Sequence, residues 1–160
     1  MMHAFRQTTV ILIDADATPR DALVTADVLA LRFNAEVVTV SSINHEYDRP
    51  GHITVDAHPQ AVDMAILSML NRKRPYVVVT QDYGLAALAL GQGALAISPK
   101  GLIYTNDNMD RLLMERDISA RERRRTGRTR GPAARTTADA DRFSAALESL
   151  LQSCTSDPCD

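Results

Sequence analysis

An apolar run that ends in two carboxylates is the feature that most constrains the fold of this chain. Residues 10–20 read V-I-L-I-D-A-D-A-T-P-R, so Asp14 and Asp16 come directly after four aliphatic side chains. The run is too short to span a membrane and, being rich in β-branched residues, is typical of a buried strand. Thr18 can cap a helix, and Pro19 suits a first helical position. The stretch therefore predicts a strand, an acidic turn and a helix in succession.

Short apolar runs and amphipathic segments alternate along most of the remaining chain. The first helix is expected over residues 19–36, the strongest strand is Y-V-V-V at 76–79, and a final amphipathic helix covers 138–151. This alternation predicts an α/β fold with three layers (α/β/α), Rossmann-like, with a mainly parallel central sheet. A chain of 160 residues suits one domain, here residues 1–151, followed by a disordered tail over 152–160.

Two further aspartates, Asp63 and Asp82, are candidates for the same site. Asp63 belongs to a predicted helix over residues 60–70 that is apolar on nearly every side, so this helix is expected to be buried. A buried carboxylate is costly unless it finds a partner, a proton or a metal ion. Asp82 comes shortly after the strand at 76–79, so it repeats the arrangement of Asp14 after the first strand.

In an open α/β sheet, ligands bind outside the carboxyl ends of the strands. Four carboxylates are expected to converge on that rim: Asp14, Asp16, Asp63 and Asp82. Carboxylate oxygens suit one or two Mg²⁺ or Mn²⁺ ions, and such ions activate water for phosphodiester hydrolysis. Thr18 and Thr80 are expected to border the same pocket. The alternative is that the acids are only turn and cap residues, with Asp82 or Thr80 capping the next helix.

Arginine is concentrated in one segment, although the net charge of the chain is −2. Residues 121–137 hold seven arginines and one glutamate, and Gly127, Gly131 and Pro132 favour a loop there. Arginine binds phosphate bidentately, so five residues are expected to contact a nucleic-acid backbone: Arg123, Arg124, Arg125, Arg128 and Arg130. The alternative is a solvated connector. The chain has no Trp and few aromatic residues, which argues against a broad platform for stacked bases.

The sequence lacks three common phosphate-binding and catalytic motifs. No G-x-x-x-x-G-K-S/T, G-x-S-x-G or H-E-x-x-H motif occurs. The N-terminus lacks the apolar core of a signal peptide and no stretch reaches membrane length, so a cytoplasmic protein is expected. Cys154 and Cys159 lie in a polar tail and are interpreted as incidental thiols. The sequence is compatible with a homo-oligomer as well as with a monomer.

Five ordered blocks carry a resemblance to a known family. They are D-A-D-A-T-P, A-V-D-M-A-I, V-V-V-T-Q-D-Y-G-L-A, G-A-L-A-I-S-P-K-G-L-I-Y-T, and R-T-G-R-T-R-G-P followed by D-R-F. Together they resemble the YaiI/YqxD family of largely uncharacterised bacterial proteins, from about Val10 to Leu151. That family is similar to PIN-like and NYN-type domains, which are metal-dependent nucleases. The resemblance implies Asp14, Asp16, Asp63 and Asp82 as an acidic pocket. Thr18 stands where the family usually has Cys, and Gln81 is a variation in the T-x-D block.

Two other functions compete with a metal-dependent nuclease that favours RNA. D-A-D-A-T is similar to the D-x-D-x-T signature of haloacid-dehalogenase-type phosphatases, in which Asp14 would be the nucleophile and Asp16 the acid/base. Thr80 would then bind phosphate and Lys100 would neutralise it. That fold places a flap after the signature, and this reading leaves Asp63 unexplained. The other alternative is a nucleic-acid-binding or regulatory domain without catalysis.

Overall fold

Strands and helices alternate regularly through the computed structural model, which describes residues 8–43, 47–127 and 134–155. The strands are β1 (Val10–Asp14), β2 (Glu36–Ser42), β3 (His52–Val55), β4 (Tyr76–Val79), β5 (Leu95–Ile97) and β6 (Ile103–Tyr104). The helices are α1 (Arg20–Phe33), α2 (Ala61–Met69), α3 (Tyr83–Gly91), α4 (Asn106–Thr126) and α5 (Thr137–Thr155). A 3₁₀ turn, Ala15–Ala17, follows β1 directly.

The strands form a single sheet in the order β3-β2-β1-β4-β5-β6. The first five strands are parallel and only β6 is antiparallel, so the predicted mainly parallel sheet is confirmed. β1 lies in the middle, with Ile13 opposite Thr39 of β2 on one side and Val79 of β4 on the other. Every residue of β1 and β4 is buried, as the apolar runs predicted.

Helices cover both faces of the sheet, which confirms the three-layer architecture. Alternate residues of β1 point to opposite faces, because side chains alternate along a strand. Val10 and Leu12 pack with α2, α3 and α4, whereas Ile11 and Ile13 pack with α1 and α5. The apolar stripe of α5 lies in the second core, so the C-terminal helix folds back on the sheet as expected.

Two helices near the start of the chain differ from expectation. Thr18 does not cap α1, because its hydroxyl donates to the main-chain oxygen of Asp14 and the helix begins at Arg20. The prediction that α2 is a buried helix was wrong. Only Val62 and Ile66 are buried in α2, and Met64 is 64% exposed. An all-apolar helix is usually enclosed, but only one side of α2 packs on this sheet.

The second half of the chain corrects two predicted boundaries. The expected Arg-rich loop over 121–137 begins inside a helix, because α4 continues to Thr126. Gly127 ends α4 in a left-handed conformation with φ 66°, so this glycine is a helix C-cap. The expected tail over 152–160 also begins in a helix, since α5 extends to Thr155. No helix within the described ranges is long and apolar enough to cross a membrane.

Candidate functional site

The site forms where β1 and β4 lie side by side in the centre of the sheet. α1, which follows β1, packs on one face of the sheet, and α3, which follows β4, packs on the other. The connections that leave these two neighbouring strands therefore turn to opposite faces. Such a switch point opens a crevice at the carboxyl ends of the two strands. Asp14 is the last residue of β1, and Asp82 comes three residues after the end of β4. The predicted closeness of these two strand ends is confirmed by the β1–β4 ladder.

A cavity of about 620 Å³ occupies this crevice, and it will be called the acidic cavity. All four aspartates selected from the sequence line it: Asp14, Asp16, Asp63 and Asp82. They arrive from three places along the chain, namely the end of β1 with its 3₁₀ turn, the first turn of α2, and the segment between β4 and α3. Arg116 of α4, Gln81 and Tyr83 also line the cavity.

Three of the four carboxylates are held by donors from the protein. Thr80 Oγ1 donates to Asp14 Oδ2 over 3.3 Å, and the main-chain N–H of Ser42 donates to Asp16 Oδ2 over 2.8 Å. Asp82 Oδ1 accepts from the N–H groups of Gly84 at 2.8 Å and Leu85 at 3.2 Å. The Asp82 carboxylate is therefore the N-cap of α3, as the alternative interpretation required, and it also faces the acidic cavity.

Crowding of the acids shows in their electrostatics. Burial, followed by the charge of Asp63, raises the pKa of Asp14 to about 6. Burial also raises the pKa of Asp63 to about 6, with a further contribution from the charge of Asp82 and a hydrogen bond between these two carboxyl groups. Close carboxylates cannot all ionise without a compensating charge. Protonation of a carboxyl group or binding of a cation would therefore relieve the repulsion in the acidic cavity.

The donor set fits a hard divalent cation better than a soft metal that prefers thiolate or imidazole ligands. Oxygen is the only ligand atom that these four side chains offer, and Mg²⁺ or Mn²⁺ prefers oxygen. Within the residues that the structure describes, no three His, Cys, Asp or Glu side chains are grouped closely enough to share one ion. Mg²⁺ commonly uses only one or two carboxylates and retains several waters, so the arrangement suits a largely hydrated ion.

Thr18 and Thr80, which were expected to border the pocket, are not among the residues that line the acidic cavity. Thr80 is fully buried, and its Oγ1 donates to Asp14 while accepting from the N–H of Asp82 at 3.0 Å. Thr18 Oγ1 donates to the main-chain oxygen of Asp14 over 2.7 Å. Both hydroxyls therefore lie behind the acids and hold the two strand ends in place.

The arginines in the second half of α4 divide between two sides of the helix, whereas Arg135 lies before α5 and pairs with Asp21. Arg116 lines the acidic cavity, while Arg123 and Arg124 line a shallow groove together with Ala120. At about 100° per residue, these four positions lie within roughly 100° of one another around the helix. This side of α4 will be called the arginine face. Arg125, nine residues after Arg116, lies about 180° away from it. Arg128 and Arg130 are outside the described residues.

Sequence reasoning missed three contributors to the site. Arg116 is separated from the acids along the chain, although its spacing of seven residues from Arg123 was a readable helical pattern. Gln81 donates its side-chain N–H to the main-chain oxygen of Ala17 over 2.6 Å, tying the β4 end to the 3₁₀ turn. Ser42 contributes only a main-chain N–H, which no sequence pattern reveals.

Comparison with protein families decides where the chain belongs. A family model described as "Uncharacterized BCR, YaiI/YqxD family" matches residues 12–153. The chain belongs to the YaiI/YqxD family. It is 42% identical over 142 residues to a UPF0178 protein of Heliobacterium modesticaldum, covering 89% of this chain and 96% of that protein. It is 45% identical over 135 residues to a UPF0178 protein of Clostridium tetani, covering 83% and 90% respectively. A comparison with solved structures found no match.

The two roles of Asp82 can be separated by substitution. Asp82→Asn is expected to be at least as stable as the metal-free wild type, because Asn caps a helix as well as Asp does and one charge leaves the acidic cavity. Asp82→Ala loses the bonds to Gly84 and Leu85 and is expected to be about 1 kcal/mol less stable than Asp82→Asn. Urea unfolding in EDTA measures the difference. Equal stability of the two variants would show that the cap contributes nothing.

Proposed function

We propose that this YaiI/YqxD-family chain is a PIN-like, divalent-metal-dependent phosphodiesterase that acts on RNA. The observation that carries the proposal is the meeting of four carboxylates in one cavity at the sheet's switch point. Two of them have pKa values raised to about 6, so the site favours a bound cation near neutral pH. Fold stability alone gives no reason to place four acids together, because their mutual repulsion destabilises the folded state.

Each acid has a distinct part in the proposed site. Asp14 and Asp82 are the main candidates for direct ligands, because they end neighbouring strands and are fixed by Thr80 and by the start of α3. Asp16 and Asp63 complete or orient the site. Mg²⁺ or Mn²⁺, as one or two ions, would supply a water of lowered pKa and positive charge for the leaving oxygen. Donors that fix ligating carboxylates are typical of metal sites, where they commonly change affinity by about 10- to 100-fold.

Positive charge next to the acids supports a polyanionic substrate. Arg116 lines the same cavity as the four carboxylates, and its guanidinium lies close to Gly84 beside Asp82. The arginine face then continues along α4 for about 10 Å from Arg116 to Arg123. A strand of RNA whose phosphates follow this face would reach the acidic cavity at one end. Arginine pairs bidentately with phosphate, which compensates for the repulsion between the acids and the backbone.

The phosphatase alternative receives less support from the same geometry. Its phosphate-binding hydroxyl would be that of Thr80, which is fully buried and already bonded to Asp14 and Asp82. Lys100 is exposed, and the described residues that line the acidic cavity do not include it. α1 also begins six residues after Asp14, which leaves little chain for the flap that this class of enzyme carries.

The test of the proposed function is metal-dependent cleavage of RNA. A 5′-labelled, unstructured oligoribonucleotide should be shortened in Mn²⁺ or Mg²⁺ and remain intact in EDTA. The same sequence as DNA provides the comparison for substrate class. RNA that binds the protein but is never cleaved in either metal would instead favour the non-catalytic binding domain. Release of phosphate from p-nitrophenyl phosphate through an aspartyl-phosphate intermediate would favour the phosphatase.

A further inference from the structure

A second cavity lies beside the acidic cavity, and the 3₁₀ turn separates the two. Its volume is about 420 Å³. Ala17 lines the acidic cavity, and its neighbour Thr18 lines the second. The acidic cavity takes its remaining walls from α2, α3 and α4, whereas the second takes its walls from α1 and the segment around Tyr47. The two cavities thus open on opposite layers of the same sheet rim.

The walls of the second cavity combine apolar surface with charged side chains of both signs. Leu23 and Val24 of α1 and the ring of Tyr47 provide the apolar part, and Val24 is 55% exposed. Arg20 and Arg49 provide positive charge, and Asp27 and Asp48 provide an equal number of negative charges. An aromatic ring beside aliphatic groups suits the flat face of a base, and guanidinium groups suit a phosphate.

Arg49 leaves a hydrogen-bond donor unsatisfied in this cavity. Its Nη2 pairs with Asp27, but its Nε is buried without a hydrogen-bond partner among the described residues. A buried donor with no acceptor is destabilising, so most such groups are satisfied in folded proteins. A shift of the Arg49 side chain would bring this buried N–H to an anionic oxygen in the cavity. Asp48 also lines the cavity and can accept a hydrogen bond from an amino group on a base.

Tyr47 connects the second cavity to the acids. Its hydroxyl donates to the main-chain oxygen of Ala15 over 3.1 Å, within the turn between Asp14 and Asp16. Burial raises the pKa of Tyr47, and the charges of Asp16 and Asp14 raise it further, which places the phenol within electrostatic reach of both. The ring of His52 lies 5.2 Å from the Tyr47 ring, centre to centre, and holds it from the side of β3.

We propose that the second cavity binds a nucleotide unit of the RNA strand, adjacent to the phosphodiester held at the acidic cavity. The base lies against Tyr47, Leu23 and Val24, and its phosphate contacts Arg20 and Arg49. The position next to the cleaved bond rests on the proposed function. The ability to bind a nucleotide does not, because the residues of the second cavity take no part in holding a metal ion.

Methyl NMR with adenosine 5′-monophosphate in EDTA tests the proposal without metal or cleavage. Saturable shifts are expected at the methyl groups of Leu23 and Val24, with weaker effects from adenosine alone and from inorganic phosphate alone. Val24→Glu places a negative charge in the cavity and is expected to weaken binding by about tenfold. Val28→Glu is the matched control, because Val28 is 52% exposed one turn further along α1 and does not line the cavity.

The outcomes separate the proposed nucleotide site in the second cavity from the proposed phosphodiesterase at the acidic cavity. Loss of affinity in Val24→Glu but not in Val28→Glu supports the nucleotide site. Absence of shifts at Leu23 and Val24, or equal weakening by both substitutions, overturns it whatever the cleavage assay gives. Binding of the nucleotide together with intact RNA in Mn²⁺ would leave the nucleotide site standing and would reject the phosphodiesterase.

Discussion

Replacing Asp14 by Asn is expected to abolish metal-dependent cleavage and, at the same time, to stabilise the metal-free protein at pH 8. Removing one charge from a desolvated catalytic site typically lowers the rate by at least about 100-fold. Asp14 is only 8% exposed and lies among three other carboxylates, so its negative charge destabilises the fold when no cation is bound. Asn keeps the side-chain shape and can still accept the hydrogen bond from Thr80.

The sign of the stability change follows from the raised pKa of Asp14. The folded state holds the Asp14 proton up to about pH 6, whereas the unfolded chain releases it near 3.8. The wild-type free energy of unfolding therefore decreases as the pH rises from about 4 through 6. Above about pH 6 this loss of stability has reached its full size. Asn has no proton to lose, so Asp14→Asn should gain about 3 kcal/mol at pH 8 and almost nothing near pH 4.

Thermal unfolding in EDTA at pH 8 and pH 4, with RNA cleavage in Mn²⁺, measures both effects. Asp110→Asn is the control, because it removes an exposed charge from α4 outside the acidic cavity. Cleavage that survives in Asp14→Asn would remove Asp14 from the site. A variant less stable than the wild type at pH 8 would show that its carboxylate is structural.

Much of the central sheet was predictable because its strands are short apolar runs that can be recognised in the sequence. Y-V-V-V and V-I-L-I are buried strands that end where the sequence changes to Thr or Asp, and the structure places β4 at the predicted residues. The helix C-cap at Gly127 was equally readable, yet this glycine was interpreted as evidence against a helix at 121–126. Glycine two residues after an arginine-rich run ends a helix as readily as it forms a loop.

The closeness of the four acids could be predicted, but the details of their contacts could not. Strand order follows from general rules for parallel sheets, so Asp14 and Asp82 could be placed together. The bond from the Ser42 N–H to Asp16 depends on how far β2 extends past β1, which hydrophobic patterns do not fix. Nor does an all-apolar pattern show which side of α2 packs on the sheet and which side stays exposed.

Substitutions on the arginine face are expected to change how strongly RNA binding depends on salt. Each phosphate contact to single-stranded nucleic acid contributes about 0.7 to the slope of log affinity against log salt concentration. Replacing Arg123 and Arg124 together by Gln should therefore lower the magnitude of that slope by about 1.4 and weaken binding at low salt. Fluorescence anisotropy in EDTA, over a range of KCl concentrations, measures affinity while the RNA stays intact.

The opposite side of α4 supplies the matched control for this experiment. Arg121→Gln with Arg125→Gln removes the same two charges, so the net charge changes from −2 to −4 in both double variants. Arg121 and Arg125 are exposed and lie about 140° and 180° around the helix from Arg116. A path for RNA along the arginine face predicts a nearly unchanged slope in this control. If both double variants lower the slope equally, the arginines act only through their total charge, and RNA follows no defined face of α4 towards the acidic cavity.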